Sequence, residues 1–299
     1  MPLQPPHCLI MGPAGSGKTT SIASFAKAGI ECFVIVTEPT GVDSLLDAWE
    51  REKLSIDLWH YAVVAPASPG WKGMDDYLTR INAMDYSQLA NLKSGMGKEQ
   101  QKQMSKLSHT IQDFRDERTG KSYGDATTWG PNRLFALDSL SGLSLIALQY
   151  AVGFKPNPHQ GEWGTAMGTI ETLLLKLTSE CQSFFLLTAH IEKEPDEITG
   201  MARVTVSTLG KKLAPKIPRF FSEVIRARKD ASGRYLWSTQ DGEADLKNRA
   251  LPSSNSIPQD FGPVIEAYRR RSKQITPASS ATADRTVVSI ENHIKETKS

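Results

Sequence analysis

Gly12-Pro13-Ala14-Gly15-Ser16-Gly17-Lys18-Thr19 fits the pattern G-x-x-x-x-G-K-[ST] in full. Before it, His7-Cys8-Leu9-Ile10-Met11 reads as a short buried strand; after it, Thr20 to Ala28 reads as a helix. A loop of this kind curls its backbone N–H groups around a polyphosphate, and the helix N-terminus adds partial positive charge. Its glycines allow tight turning and close backbone approach. Lys18 would neutralise the β- and γ-phosphates, and the Thr19 hydroxyl would ligate Mg²⁺. The stretch from Gly12 to Thr20 therefore predicts a nucleoside triphosphate site between a strand and a helix.

Outward from the loop, apolar runs alternate with helical patterns. Cys8–Met11, Cys32–Val36, Tyr61–Ala65, Leu134–Leu137 and Phe184–Thr188 read as short strands buried on both faces. Between them, Thr165–Glu180 places Met167, Ile170, Leu173, Leu174 and Leu177 on one helical face. Such alternation predicts an α/β fold, a mostly parallel sheet flanked by helices. Glu223–Arg228 and Arg234–Ser238, joined through Ser232-Gly233, read as a hairpin extending the sheet at one edge. Residues 85–130 interrupt the pattern as a polar, helix-prone insertion resembling a helical hairpin, with Met104, Leu107, Ile111 and Phe114 three and four apart. One domain is expected over residues 1–270. From residue 271 to 299 the chain turns polar, with a linker at Pro277-Ala278-Ser279-Ser280, and reads as a flexible tail.

Composition narrows the classes. The 299 residues carry a formal net charge of +2, so nucleic-acid binding would need local patches rather than a bulk field. The cysteines Cys8, Cys32 and Cys181 lie far apart without a C-x-x-C pairing and read as buried thiols, not a disulfide framework or a zinc site. No run approaches 18 apolar residues, and the N-terminus lacks a signal-peptide pattern. A soluble, cytoplasmic protein without membrane contact is expected.

Three further strand ends would complete the chemistry. Arg133-Leu134-Phe135-Ala136-Leu137-Asp138-Ser139 is an apolar run ending in aspartate; Asp138 would hold the Mg²⁺ shell through water. Phe33-Val34-Ile35-Val36-Thr37-Glu38-Pro39 places Glu38 at a strand's carboxyl end, where it would orient and deprotonate an attacking water. Phe184 to His190 ends a further strand in histidine, and His190 would bond the γ-phosphate and report its loss to the loop that follows.

The loop, the strand ending Thr37-Glu38, the strand ending Leu137-Asp138-Ser139 and the strand closing on a polar sensor resemble, in that order, the RecA-type ATPase core over roughly residues 7–265. More narrowly, the chain resembles the phage-encoded RecA-like proteins, some of which act in single-strand annealing or recombination. That resemblance implies a RecA-like P-loop fold, hydrolysis of ATP with Mg²⁺, a ring or filament of like subunits, and single-stranded DNA as partner. It also implies the bacterial host cytoplasm as setting and a phage single-strand-binding or replication protein as a further partner. The family's catalytic glutamate falls on Glu38; where the family commonly has glutamine, this chain has His190.

By the same resemblance, DNA would be met by the segments Ala151–Trp163 and Glu192–Gly210. Phe154 and Trp163 could stack on bases, the alternative being that both rings pack in the core. Glu192–Glu197 holds four acids and one lysine, whereas Arg203–Arg234 holds nine basic residues and two acids. Arg203, Lys211, Lys212, Lys216 and Arg219 are thus candidates for a phosphate-backbone track, with a solvated basic face as the alternative. Lys211, Lys212 or Arg249 could instead reach a neighbouring subunit's γ-phosphate. Other readings are a DNA-independent ATPase driving or loading a protein partner, a small-molecule kinase, for which no Arg-rich lid is visible, and a nucleotide-dependent binding module that does not turn over.

Overall fold

The computed structural model describes residues 3–38, 40–68, 71–85, 87–88, 98–153, 158–195 and 202–275. Strands β1 (His7–Met11), β2 (Glu31–Val36), β3 (Trp59–Val63), β4 (Arg133–Asp138) and β5 (Phe184–Ala189) form its centre. With β8 (Glu223–Lys229), β9 (Tyr235–Ser238) and β10 (Ile257–Pro258) they make an eight-stranded sheet in the order β3-β2-β4-β5-β1-β8-β9-β10. From β3 to β8 every neighbouring pair is parallel; β9 and β10 run antiparallel at the edge. This is the mostly parallel α/β sheet expected from the sequence, with the expected hairpin at β8–β9.

Parallel strands need crossover helices, and helices on both faces bury both faces of the strand. Residues of β1, β2 and β5 accordingly alternate between two cores. Leu9, Met11, Phe33, Ile35, Phe185 and Leu187 face one, against α4 (Lys98–Gln112), α5 (Leu140–Val152) and α6 (Gln160–Glu180). Cys8, Ile10, Cys32, Val34, Phe184 and Leu186 face the other, against α1 (Ala23–Lys27), α2 (Gly41–Arg51) and α8 (Gly262–Ile275). Further α-helices among the described residues are α3 (Trp71–Asn82) and the short α7 (Gly210–Leu213). All three cysteines are free and buried. Among the described residues, no helix is long and apolar enough to cross a membrane.

Several boundaries differ from the sequence reading for local reasons. The helix after the loop begins as a 3-10 turn over Thr20–Ile22. Its hydroxyls fold back on the chain: Thr20 donates to the Gly17 carbonyl, Ser21 to that of Lys18 and Ser24 to that of Ser21. Helix α6 starts at Gln160 rather than Thr165 because the Glu162 carboxylate accepts the His159 N–H at 2.6 Å and closes the first turn. At the other end, α8 runs to Ile275 and takes in residues 271–275 of the expected tail; the rest of that tail lies outside the described residues.

Of the 85–130 insertion, the described residues include α4, followed by a tight turn bridged between Arg115 and Ser122; residues 86 and 89–97, where the first arm of the expected helical hairpin would fall, lie outside the described residues. Leu107, Ile111 and Phe114 from the expected stripe are buried in the core, and Met104 packs against it. Polar groups of the insertion cover the open edge of β3. Lys106 Nζ donates to the Val63 carbonyl at 3.0 Å, the Glu117 N–H to that of Tyr61 at 2.8 Å, and Arg118 to that of Trp59. An edge strand so occupied cannot add a strand from another chain. Leu107→Ala should lower unfolding free energy by about 2–5 kcal/mol in urea titration, whereas Leu175→Ala, on an exposed position of α6, should stay within about 0.5 kcal/mol.

Candidate nucleotide-binding and hydrolysis site

The parallel register brings the carboxyl ends of β1, β2, β4 and β5 to one edge of the sheet, where they surround a cleft of about 230 Å³. The cleft is lined by Ala14 to Thr20, Glu38, Thr40, Gly41, Ser44, Asp138, Ser139, His190 and Tyr235. Of the residues singled out in the sequence, the loop, Glu38, Asp138 and His190 are therefore brought together.

Within the loop, Lys18 reaches back across the turn. Its ammonium donates to the Gly12 carbonyl at 3.0 Å and to that of Pro13 at 2.8 Å, while Ser16 Oγ donates to Pro13 O at 2.8 Å. Lys18 is buried, and that burial lowers its pKa against the opposing pull of Asp138 and Glu38. Gly17 adopts φ +86°, and a Cβ there would meet Gln259 Oε1 at 2.6 Å and the Tyr235 ring at 2.9 Å. Glycine is thus required for its dihedral and for the close approach of the hairpin. Gln259 Nε2 in turn donates to the carbonyls of Ser16, at 2.8 Å, and Leu236, at 3.1 Å, tying the sheet's far edge to the loop.

Asp138 is 5% exposed. Thr19 Oγ1 donates to its Oδ2 at 2.8 Å, and Thr188 donates to its Oδ1. Burial raises the Asp138 pKa, the two hydroxyls oppose that rise, Glu38 adds to it and Lys18 subtracts. An aspartate oxygen beside a threonine hydroxyl is a hard oxygen set that suits Mg²⁺, a cation that takes few protein ligands and keeps its waters.

Thr37 couples the ends of β2 and β4. Its Oγ1 accepts the Ser139 N–H at 2.7 Å and donates to the Ser139 carbonyl at 2.9 Å, and its own N–H donates to Asp138 O at 2.6 Å. This clamp places Glu38 beside Asp138. Ser139 Oγ donates to Glu38 Oε1, and His190 Nε2 lies 3.6 Å from the same oxygen. That gap exceeds a well-formed hydrogen bond, so His190 stands beside the carboxylate without closing on it. The proximity of His190 is the largest cause holding the Glu38 pKa below its usual range; burial opposes it, and Ser139 and Lys18 reinforce it.

The other candidates lie elsewhere. Phe154 falls outside the described residues. Trp163, on the first turn of α6, is half-buried and packs against the core. Glu192–Gly210, expected as a loop, contains a β-hairpin of β6 (Ile191–Pro195) and β7 (Ala202–Val206); residues 196–201 lie outside the described set. Arg203 on β7 pairs with Asp245 at 2.8 Å, and Lys216 with Glu171 at 2.9 Å. Lys211, Lys212 and Arg219 are exposed. Arg249 sits at the amino end of β8, where its N–H donates to the Glu223 carboxylate at 3.0 Å, at the opposite edge of the sheet from the loop.

Sequence reasoning missed Thr37, Ser139, Thr188 and Tyr235 as site residues. A hydroxyl next to each expected carboxylate was a usable signal for Thr37 and Ser139, and a lone polar residue in an apolar run was one for Thr188. Nothing local marks Tyr235, which arrives from a hairpin far downstream of the loop.

No family model matches the chain, and no curated protein matches it. Among solved structures, the crystal structure of the RadB recombinase is similar at a TM-score of 0.41 and 14% identity, over 85% of this chain and 86% of that one.

Two outcomes test the geometry. A Cβ on Gly142 would meet Thr37 Oγ1 at 2.3 Å and Thr37 O at 2.7 Å. Although alanine ordinarily favours a helix over glycine, Gly142→Ala should destabilise by about 1–3 kcal/mol in chemical denaturation. Asp138 has a folded pKa above its unfolded one, so above the unfolded value its charge costs stability, and below it the group is neutral in both states. Asp138→Asn should therefore raise the melting temperature of the nucleotide-free protein at pH 7, with the gain shrinking as pH falls toward about 4.

Proposed function

We propose that this chain is a RecA-like ATPase that acts on single-stranded DNA in recombination, annealing or replication of the phage type. The observation that carries the ATPase part is a single one: Lys18, Thr19, Asp138 and Glu38 converge on one cleft with the phosphate loop as its floor. The backbone N–H groups of Gly15 to Thr19 would cradle the phosphates, and Lys18, already stripped of water, would meet the β- and γ-oxygens. Mg²⁺, held by Thr19 and through water by Asp138, would neutralise charge on those oxygens.

Glu38 is the base on this reading. Its depressed pKa keeps it ionised at neutral pH, and Ser139 and His190 fix its direction. It would orient a water in line with the γ-phosphorus and accept its proton. Catalysis would come mainly from positioning and charge neutralisation.

A second reading, a motor or loader acting on a protein, keeps the same cleft. The β6–β7 hairpin favours it, because Glu192 and Glu194 are set directly after His190, and acidic side chains are a poor surface for a phosphate backbone. Steady-state hydrolysis with and without single-stranded DNA separates the two. Stimulation that disappears in Lys18→Ala supports the DNA-directed reading; hydrolysis indifferent to DNA supports the protein-directed one. Glu38→Gln should cut turnover about 100-fold or more while ATP affinity stays within about threefold, and turnover unchanged in that variant would remove Glu38 from the mechanism.

A further inference from the structure

We propose that Thr188 is a positioning residue for the metal-binding carboxylate: its hydroxyl fixes Asp138 so that Oδ2 faces Thr19 and the cleft. The inference rests on the functional reading above and adds a residue to it.

Leu137 and Leu187 are level across the β4–β5 pair, so Asp138 and Thr188 are the next residues on the two strands. Thr188 is fully buried, level with Ile10 of β1, in the strand that lies between the loop strand and the Asp138 strand. Its Oγ1 donates to Asp138 Oδ1, while Thr19 Oγ1 takes Oδ2 at 2.8 Å. The two hydroxyls thus grip opposite oxygens of one carboxylate. Thr19 belongs to the loop that must close on phosphate and metal; Thr188 belongs to a strand paired on both sides. Of the two grips, the one from Thr188 is anchored independently of the ligand.

A β-branched side chain in a strand has restricted χ1, so the backbone of β5 sets the direction of this hydroxyl. Without it, Oδ1 would be a buried acceptor with no donor, and the carboxylate could relieve that cost only by rotating or by taking a proton. Rotation moves the oxygen that faces Thr19 away from it, and protonation takes the charge from that oxygen, so either response weakens the hold on a divalent cation. The loss would fall on the metal-dependent share of nucleotide binding, since Lys18 is held by the Gly12 and Pro13 carbonyls of its own loop and not through Thr188.

Thr188→Val keeps the branched shape and deletes the donor; Thr188→Ser keeps the donor and deletes the branch. ATP binding to the full chain is measured by calorimetry in EDTA and across a Mg²⁺ titration. For Thr188→Val the Mg²⁺ concentration giving half of the affinity gain should rise about tenfold, the cost of one hydrogen bond to a charged group. Affinity in EDTA should stay within about twofold, and Thr188→Ser should stay within about threefold of the parent midpoint. An unmoved midpoint in Thr188→Val overturns the inference, as do equal shifts in the valine and serine variants, which would mean packing rather than the hydroxyl. Thr188→Ala gives the same comparison should the valine variant fail to fold. If the parent chain binds no ATP, the functional reading falls and this inference with it; ATP binding with an unmoved midpoint removes this inference alone.

Discussion

A strand covered by helices on both faces has no lateral position where a charge can meet water, so its charged groups collect at its ends. β1, β4 and β5 are buried along nearly their whole length, and the constraint shapes the entire molecule. At the amino ends lie Glu31, Arg133 and Glu223, each satisfied locally: Glu31 accepts from Arg133 at 2.8 Å, and Glu223 accepts the Arg249 N–H. At the carboxyl ends lie Glu38, Asp138 and His190. Because the strands are parallel, those three arrive together at one edge, beside the loop that β1 feeds. The site is thus a consequence of where a doubly covered parallel sheet can tolerate charge.

Charges gathered in so small a space are not equivalent. Lys18 and Asp138 are both pushed toward their neutral forms by burial, whereas Glu38, more exposed and next to His190, is pushed toward its ionised form. Lys18 satisfies its ammonium on two carbonyls of its own loop, and Asp138 is held by two hydroxyls. Neither makes a direct ion pair with the other. The Lys18 ammonium and the Asp138 carboxylate are therefore both desolvated and held by neutral dipoles; on the proposed reading, that arrangement gains most when a polyphosphate and a divalent cation arrive together. Glu38 differs in being held toward its ionised form before any ligand arrives.

The parts of this arrangement that depend on contiguous residues were readable in the sequence. The loop, the apolar runs and their terminal Glu38, Asp138 and His190 are local patterns, and the physics of a buried parallel strand translates them directly into a sheet edge. Contacts between distant segments were not readable. Tyr235 and Gln259 reach the loop only because β9 and β10 fold back antiparallel beside β8. Gly142 looks like a weak helix residue in sequence; its value lies in the space it leaves for Thr37, just past the end of β2. The resemblance puts a loop at Glu192–Gly210, and Glu192, Lys193 and Glu194, poor strand formers, give no local sign of the hairpin at β6–β7. Cross-strand pairing with Thr205, Val204 and Arg203 overrides that propensity.

That hairpin gives His190 a mechanical context that a loop would not. The His190 carbonyl accepts the Ser207 N–H at 2.7 Å, Ile191 pairs with Val206, and Ser207 Oγ donates to Glu192 at 2.6 Å. One residue further, Thr208 shares a hydroxyl hydrogen bond with Ser144 of α5 at 2.9 Å. A displacement of His190 relative to Glu38 thus acts on both strands of the hairpin at their shared base and, through Thr208, on the helix that follows Asp138. On the proposed reading, loss of the γ-phosphate changes the charge that His190 and Glu38 share. That path runs through backbone and hydroxyl hydrogen bonds, so on the proposed reading it does not need the glutamine common at this position in the family the chain resembles; it needs only a group at position 190 that responds to the charge on Glu38.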